Sequence, residues 1–108
     1  MPLILTDTDT TTFRADRAWG ARDLAEIEGA TVRLHWTDTA YQWHANDGTE
    51  VFVVLDGVVN MHYRLPGGPE KAVRLEPGAI FVAQVGEEHV ARPEGEARIL
   101  VIERKGSI

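Results

Sequence analysis

The chain of 108 residues contains no cysteine, so neither a disulfide framework nor a thiolate metal site is available to it. It has no run of apolar residues long enough to span a bilayer as a helix. The opening MPLILT lacks the basic segment and long apolar stretch of a secretory leader. No Lys/Arg cluster occurs, and 11 basic residues against 17 acidic ones give a formal charge of -6, which works against binding a phosphate backbone. Neither GxxxxGK[ST] nor GxGxxG is present, so no nucleotide-phosphate loop is expected. These absences point away from nucleic-acid and membrane partners and leave a cytoplasmic protein as the expectation.

What is present is one domain's worth of chain, residues 1–108, with a globular balance of 44% hydrophobic and 26% charged residues. Residues 1–20 hold the polar spacer TDTDTTT and read as an N-terminal arm, either disordered in part or an edge strand against the barrel or a partner. ARDLAEIEG is open between a short helix, from Leu24 and Ile27 at i,i+3, and a brief strand. From Thr31 the period is two. TVRLHW sets Val32, Leu34 and Trp36 on one side and Arg33 and His35 on the other. Short alternating runs follow, through AYQWH, EVFVVL, VVNMHYRL, KAVRL and AIFVAQV to ARILVIE, separated by glycine-bearing reversals. This spacing predicts an all-β barrel or sandwich of roughly eight to eleven strands over residues 31–104. A closed sheet lines its interior with alternate side chains, so polar residues distant in sequence can converge there.

The polar residues most suited to such convergence flank WHANDGTEVFVVLDG. Glu50 shares parity with Phe52 and Val54, so its carboxylate is drawn towards the interior and needs a partner. His44 lies across the same tight reversal, and His89 follows the later GEE turn. Two imidazoles and one carboxylate form a facial set that leaves further positions on an octahedral ion open, and Fe, Mn, Ni and Zn all accept it. His35 is either lumen-lining or exposed, depending on which face of TVRLHW points inward. His62, on the parity of Asn60 and Arg64, Gln84, on that of Ile80 and Val82, and Trp43, on that of Tyr41, are further pocket candidates.

The spacing resembles that of the cupin superfamily. His44, one residue, Asn46, three residues, Glu50, six residues and Gly57 follow the second part of the first cupin motif. Gly78, Gly86 and His89 follow the second motif in spacing, with Gln84 where proline is usual and Pro93 where asparagine is usual. The resemblance covers about Tyr41 to Ala91. It implies a cupin-type double-stranded β-helix, a jelly-roll barrel usually found as a homodimer. The group implied is that of small single-domain bacterial cupins, related in outline to the sugar-phosphate isomerase-like members. It places His44, Glu50 and His89 on the family's metal-ligand positions, and departs from the family at Asn46, where a second imidazole is usual. Asn46 is then a weak fourth ligand or a hydrogen-bonding group. Two functions are compatible with these residues. One is a divalent-metal enzyme, an isomerase, epimerase or dioxygenase acting on a small polar metabolite. The other is a non-catalytic small-ligand-binding or regulatory cupin whose metal site is weakened or lost.

Overall fold

A computed structural model describes residues 1–106 of the chain. The polar spacer of the arm is a short helix, α1 (Asp7–Thr12), and neither disordered nor a strand. Threonine is a modest helix former, but this segment satisfies its own end groups. The Thr6 amide donates to Asp9 Oδ2 at 2.8 Å, Asp7 and Asp9 sit in the first turn, and Thr11 and Thr12 hydroxyls donate back to the carbonyls of Asp7 and Thr8. The arm beyond α1 then crosses the barrel's outer surface.

ARDLAEIEG resolves as a strand, β1 (Gly20–Ile27), paired antiparallel with β2 (Ala30–Thr37). The turn between them explains the outcome. Glu28 and Gly29 both take positive φ, 46° and 82°, the backbone of a two-residue hairpin turn whose twist matches the flanking strands. Seven further strands follow among the described residues: β3 (His44–Ala45), β4 (Glu50–Asp56), β5 (Val59–Arg64), β6 (Lys71–Leu75), β7 (Ile80–Ala83), β8 (Glu88–Pro93) and β9 (Ala97–Arg104). They form two antiparallel sheets, ordered β1-β2-β9-β4-β7 and β3-β8-β5-β6. This is the all-β barrel expected.

Strand register decides which residues reach the interior. Phe52 and Val54 of β4 pair across to Val101 and Ile99 of β9, and all four are buried. From the other sheet Val59 and Met61 of β5 meet Pro93 and Ala91 of β8, and with Leu75 and Ala97 they complete the core. The core fills one end of the barrel, and the same inward faces run on to polar residues at the other. On β4 the inward series is Val54, Phe52, Glu50, and on β9 it is Ile99, Val101, Glu103.

Leu34 and Trp36 lie on the opposite, outer face of β2, in register with Leu100 and Arg98, yet they are buried. The arm supplies the cover: Arg98 Nε donates to the Phe13 carbonyl at 2.8 Å, and the Arg14 guanidinium sits 5.0 Å from the Trp36 ring centroid. His35, Arg33 and Thr31 consequently occupy the inward face of β2.

Candidate metal centre

The polar end of the barrel gathers residues from both sheets. His44, on the two-residue β3, lies directly across from His89 on β8, and their ring centroids are 4.2 Å apart. Glu50, at the first position of β4 in the facing sheet, accepts a hydrogen bond from His89 Nε2 at 2.9 Å. One ligand atom from each of His44, Glu50 and His89 lies within 4.8 Å of the others. His89 and Glu50 are 2% and 7% exposed, while His44 is half-buried, so the cluster is shielded but reachable.

The backbone orients His44. Its Nδ1 lies 2.9 Å from the Gln42 carbonyl, an arrangement that assigns the proton to Nδ1 and leaves the Nε2 lone pair available. Burial pushes the His44 imidazole below its ordinary range, with neighbouring His89 adding to the effect, so the ring is neutral at neutral pH, as a ligand must be. Asn46 is 3% exposed, and both polar atoms of its amide are buried without a protein partner, as is Nδ1 of His89. Such orphans each cost about 1–3 kcal/mol unless water or an ion satisfies them. A buried imidazole–carboxylate–imidazole set that includes the unsatisfied His89 Nδ1 fits a divalent transition ion, while the Asn46 side chain is not part of the cavity wall.

A cavity of about 120 Å³ opens over this cluster. Its wall includes Trp19, His35, Tyr41, Phe52, Val101 and Glu103 besides the three cluster residues. His35 is thus lumen-lining. His62, Gln84 and Trp43 are not in the wall. The inward face of β5 belongs to Val59 and Met61, so His62 faces outward and binds Glu70 through Nδ1 at 2.9 Å. Gln84 lies beyond the end of β7 on its exposed parity, where its side chain meets the Thr49 hydroxyl. Trp43 packs beneath the Arg64 guanidinium, 4.0 Å from its ring centroid, and Tyr41 takes the place in the cavity.

Trp19 and Glu103 line the wall and have no counterpart among the sequence candidates. Trp19 belongs to no periodic segment, and nothing in its neighbours marks it. Glu103 carries a readable signal, since in ARILVIE it shares parity with Ile99 and Val101. It pairs across the strands with Glu50. Burial, then the Glu50 charge and the hydrogen bond between the two carboxyls, push Glu103 up to about 7. Burial also opposes ionisation of Glu50, but the His89 hydrogen bond and charge outweigh it and hold Glu50 below its usual range. Of the two carboxyls, Glu103 is therefore the one that keeps its proton into the mildly acid range, and Glu50 the one that gives it up first.

This gives a pH dependence with a definite sign. A carboxyl whose folded value is raised binds its proton more tightly in the folded chain. Its favourable contribution is complete below about 4.5 and is lost as pH rises towards about 7. Glu103→Gln removes that loss. In metal-free protein the variant is expected to melt about 4–8 °C above the wild type at pH 8, after discounting for partial solvent screening, and to match it at pH 4. Thermal unfolding at the two pH values checks this; equal melting temperatures at pH 8 would contradict it.

No family model matches the chain, and no curated protein does. Solved structures do. A cupin-2 domain protein from Shewanella frigidimarina NCIMB 400 superposes with a TM-score of 0.74 at 26% identity, over 84% of this chain and 85% of that one. A cupin superfamily protein from Desulfitobacterium hafniense DCB-2 gives 0.71 at 14% identity, over 85% and 83%. Hydroquinone 1,2-dioxygenase PnpCD in complex with Fe3+ gives 0.76 at 15% identity, over 85% of this chain but only 29% of that larger one.

Proposed function

Starting from a cupin barrel with a buried His–Glu–His cluster, we propose that this protein is a divalent-metal cupin that binds and transforms a small metabolite. The observation that carries the reading is the convergence of His44, Glu50 and His89 ligand atoms within 4.8 Å at the base of a cavity. The structurally similar PnpCD was solved in complex with Fe3+, which supports iron as one candidate ion. His44, Glu50 and His89 would hold the ion, with the Asn46 amide as a weak additional donor. The ion would supply Lewis acidity or a redox couple to a bound oxygen atom.

The chain's own residues account for the rest. The Gln42 carbonyl fixes the His44 ring, and His89 keeps Glu50 ionised. Phe52 and Val101 give one side of the cavity an apolar wall. Glu103 lines the cavity wall across from Glu50, and its raised carboxyl places an exchangeable hydrogen there. Within the cupins, the narrower sugar-phosphate isomerase-like reading finds little support here, because no Lys or Arg lines the cavity to meet a phosphate.

A second reading is favoured by one observation. The hydrogen bond between His89 and Glu50, together with an amide in place of an imidazole at position 46, is also what a weakened site in a ligand-binding cupin would show. Asn46→His separates the two. If position 46 faces the ion, calorimetric titration of metal-free protein with Zn2+ should show affinity rising about tenfold or more in the variant. Unchanged affinity would remove Asn46 from the ligand set, and no zinc uptake by either protein would favour the binder.

A further inference from the structure

We propose that the cavity selects a small planar ring bearing a hydroxyl group, a monocyclic phenol in chemical class, and that Trp19 and Tyr41 determine this specificity. The inference rests on the reading of the His44–Glu50–His89 cavity as the working site and adds to it the kind of molecule that enters.

Size sets the first bound. Apolar cavities of about 150 Å³ accommodate benzene, and this one, at about 120 Å³, is slightly smaller but open at its mouth, so its size suits no more than a single six-membered ring, part of which reaches the mouth. Shape sets the second. The Tyr41 ring stands edge-on to Trp19, at 5.3 Å and 64°, and edge-on to His44, at 5.0 Å and 85°. Phe52 closes the inner side. A flat ring gains face and edge contacts from such walls that an aliphatic chain of the same area does not.

The walls are also held in place. Trp19 adopts φ 62°, a left-handed conformation that costs a non-glycine residue about 1–2 kcal/mol. Two hydrogen bonds hold it there. Its indole Nε1 donates to the Thr39 carbonyl at 2.8 Å, and its own carbonyl accepts from His35 Nδ1 at 2.9 Å. The Tyr41 amide donates to the Ala91 carbonyl at 3.0 Å. Strain maintained by hydrogen bonds from two other segments, at the rim of a cavity, marks a side chain whose position matters more than its local stability. It also gives His35 a role: the ring reaches the lumen to fix Trp19.

Charge sets the third bound. The floor presents two carboxyls and no Lys or Arg. An anion finds no cationic side chain there, and a cation meets like charge once a divalent ion is bound. A neutral hydroxyl suits both circumstances, donating to the carboxyls or offering its oxygen to the ion.

The test is calorimetric binding of phenol to zinc-loaded and metal-free protein, with benzoate and benzylamine as anionic and cationic comparisons built on the same six-membered ring. Zinc is redox-inert, so binding is read without turnover. Phenol should bind the zinc-loaded protein, and the two comparisons should bind at least about tenfold more weakly. Trp19→Leu and Tyr41→Leu should each weaken phenol by about tenfold while zinc uptake, measured separately, is unchanged. Zinc uptake without phenol binding overturns this proposal and leaves the metal reading standing. Preference for either charged compound, or wild-type phenol affinity in both variants, overturns it as well. If zinc is not taken up the metal reading fails, and phenol binding to the metal-free protein still decides the ring preference.

Discussion

His89→Ala is expected to lower Zn2+ affinity by more than about 100-fold and to destabilise the metal-free chain by about 3 kcal/mol. Both effects come from the same atom. His89 Nε2 is a candidate ligand and also the donor to Glu50 Oε1 at 2.9 Å, inside a pair that is almost wholly buried. Removing the imidazole leaves Glu50 facing Glu103 without its cationic or donor partner, and an uncompensated buried carboxylate is costly. His44→Ala is the comparison that separates the two roles. His44 is half-buried and bonds only the Gln42 carbonyl, so its loss should cost the metal affinity with little change in folding. Zinc titration and chemical denaturation of both variants check the pair of outcomes. Wild-type zinc affinity in either variant would exclude that histidine from the site.

The second large effect lies in the turn that closes the first motif. Gly57 joins β4, which carries Glu50, to β5, and holds φ 79°. A Cβ there would collide with the Glu96 carbonyl oxygen and stand 2.9 Å from Ala97 Cα, backbone atoms just before and at the start of β9 that cannot swing aside. Gly57→Ala therefore combines left-handed strain with backbone overlap, roughly 3–5 kcal/mol together. It should lower the melting temperature by more than about 12 °C. Gly67, at φ 76° in the exposed LPGGP turn, has nothing within 4 Å of the added carbon. Gly67→Ala should cost only the strain, about 1–2 kcal/mol. Equal losses in the two variants would show that the close approach at Gly57 contributes nothing.

Much of this site is legible in the sequence because two constraints act together there. The alternation of EVFVVL sends Glu50 inward with Phe52 and Val54, and motif spacing brings His44 and His89 to the same level of the barrel. Parity alone is less secure. It depends on knowing which face is inward, and in TVRLHW the apolar face, Leu34 and Trp36, proves to be the outer one. The N-terminal arm covers it, so its burial imitates a core face. Parity also requires an unbroken strand. Tyr41 and Trp43 precede a strand of only two residues, and they diverge, one into the cavity and one beneath Arg64. In β1 the decision between helix and strand was made by the Glu28–Gly29 turn, where a non-glycine residue accepts positive φ, and no propensity scale shows that. Trp19 is positioned by hydrogen bonds to Thr39 and His35, twenty and sixteen residues away, which local pattern cannot reveal.

Glu103 changes the chemistry open to this barrel. Without it the cluster is a ligand set whose cavity wall has no further carboxyl. With it, the site holds an ionised Glu50, a carboxyl at Glu103 that keeps its proton to higher pH, and neutral imidazoles at His35 and His44 around a cavity walled by aromatic rings. Metal uptake is the premise on which that chemistry depends. The most direct test is elemental analysis of protein purified without a metal-affinity tag. The account predicts close to one equivalent of a divalent transition metal per chain, reduced to background in His89→Ala. Wild-type protein that contains no such metal, and takes up none on incubation with Fe2+, Mn2+, Ni2+ or Zn2+, would contradict it.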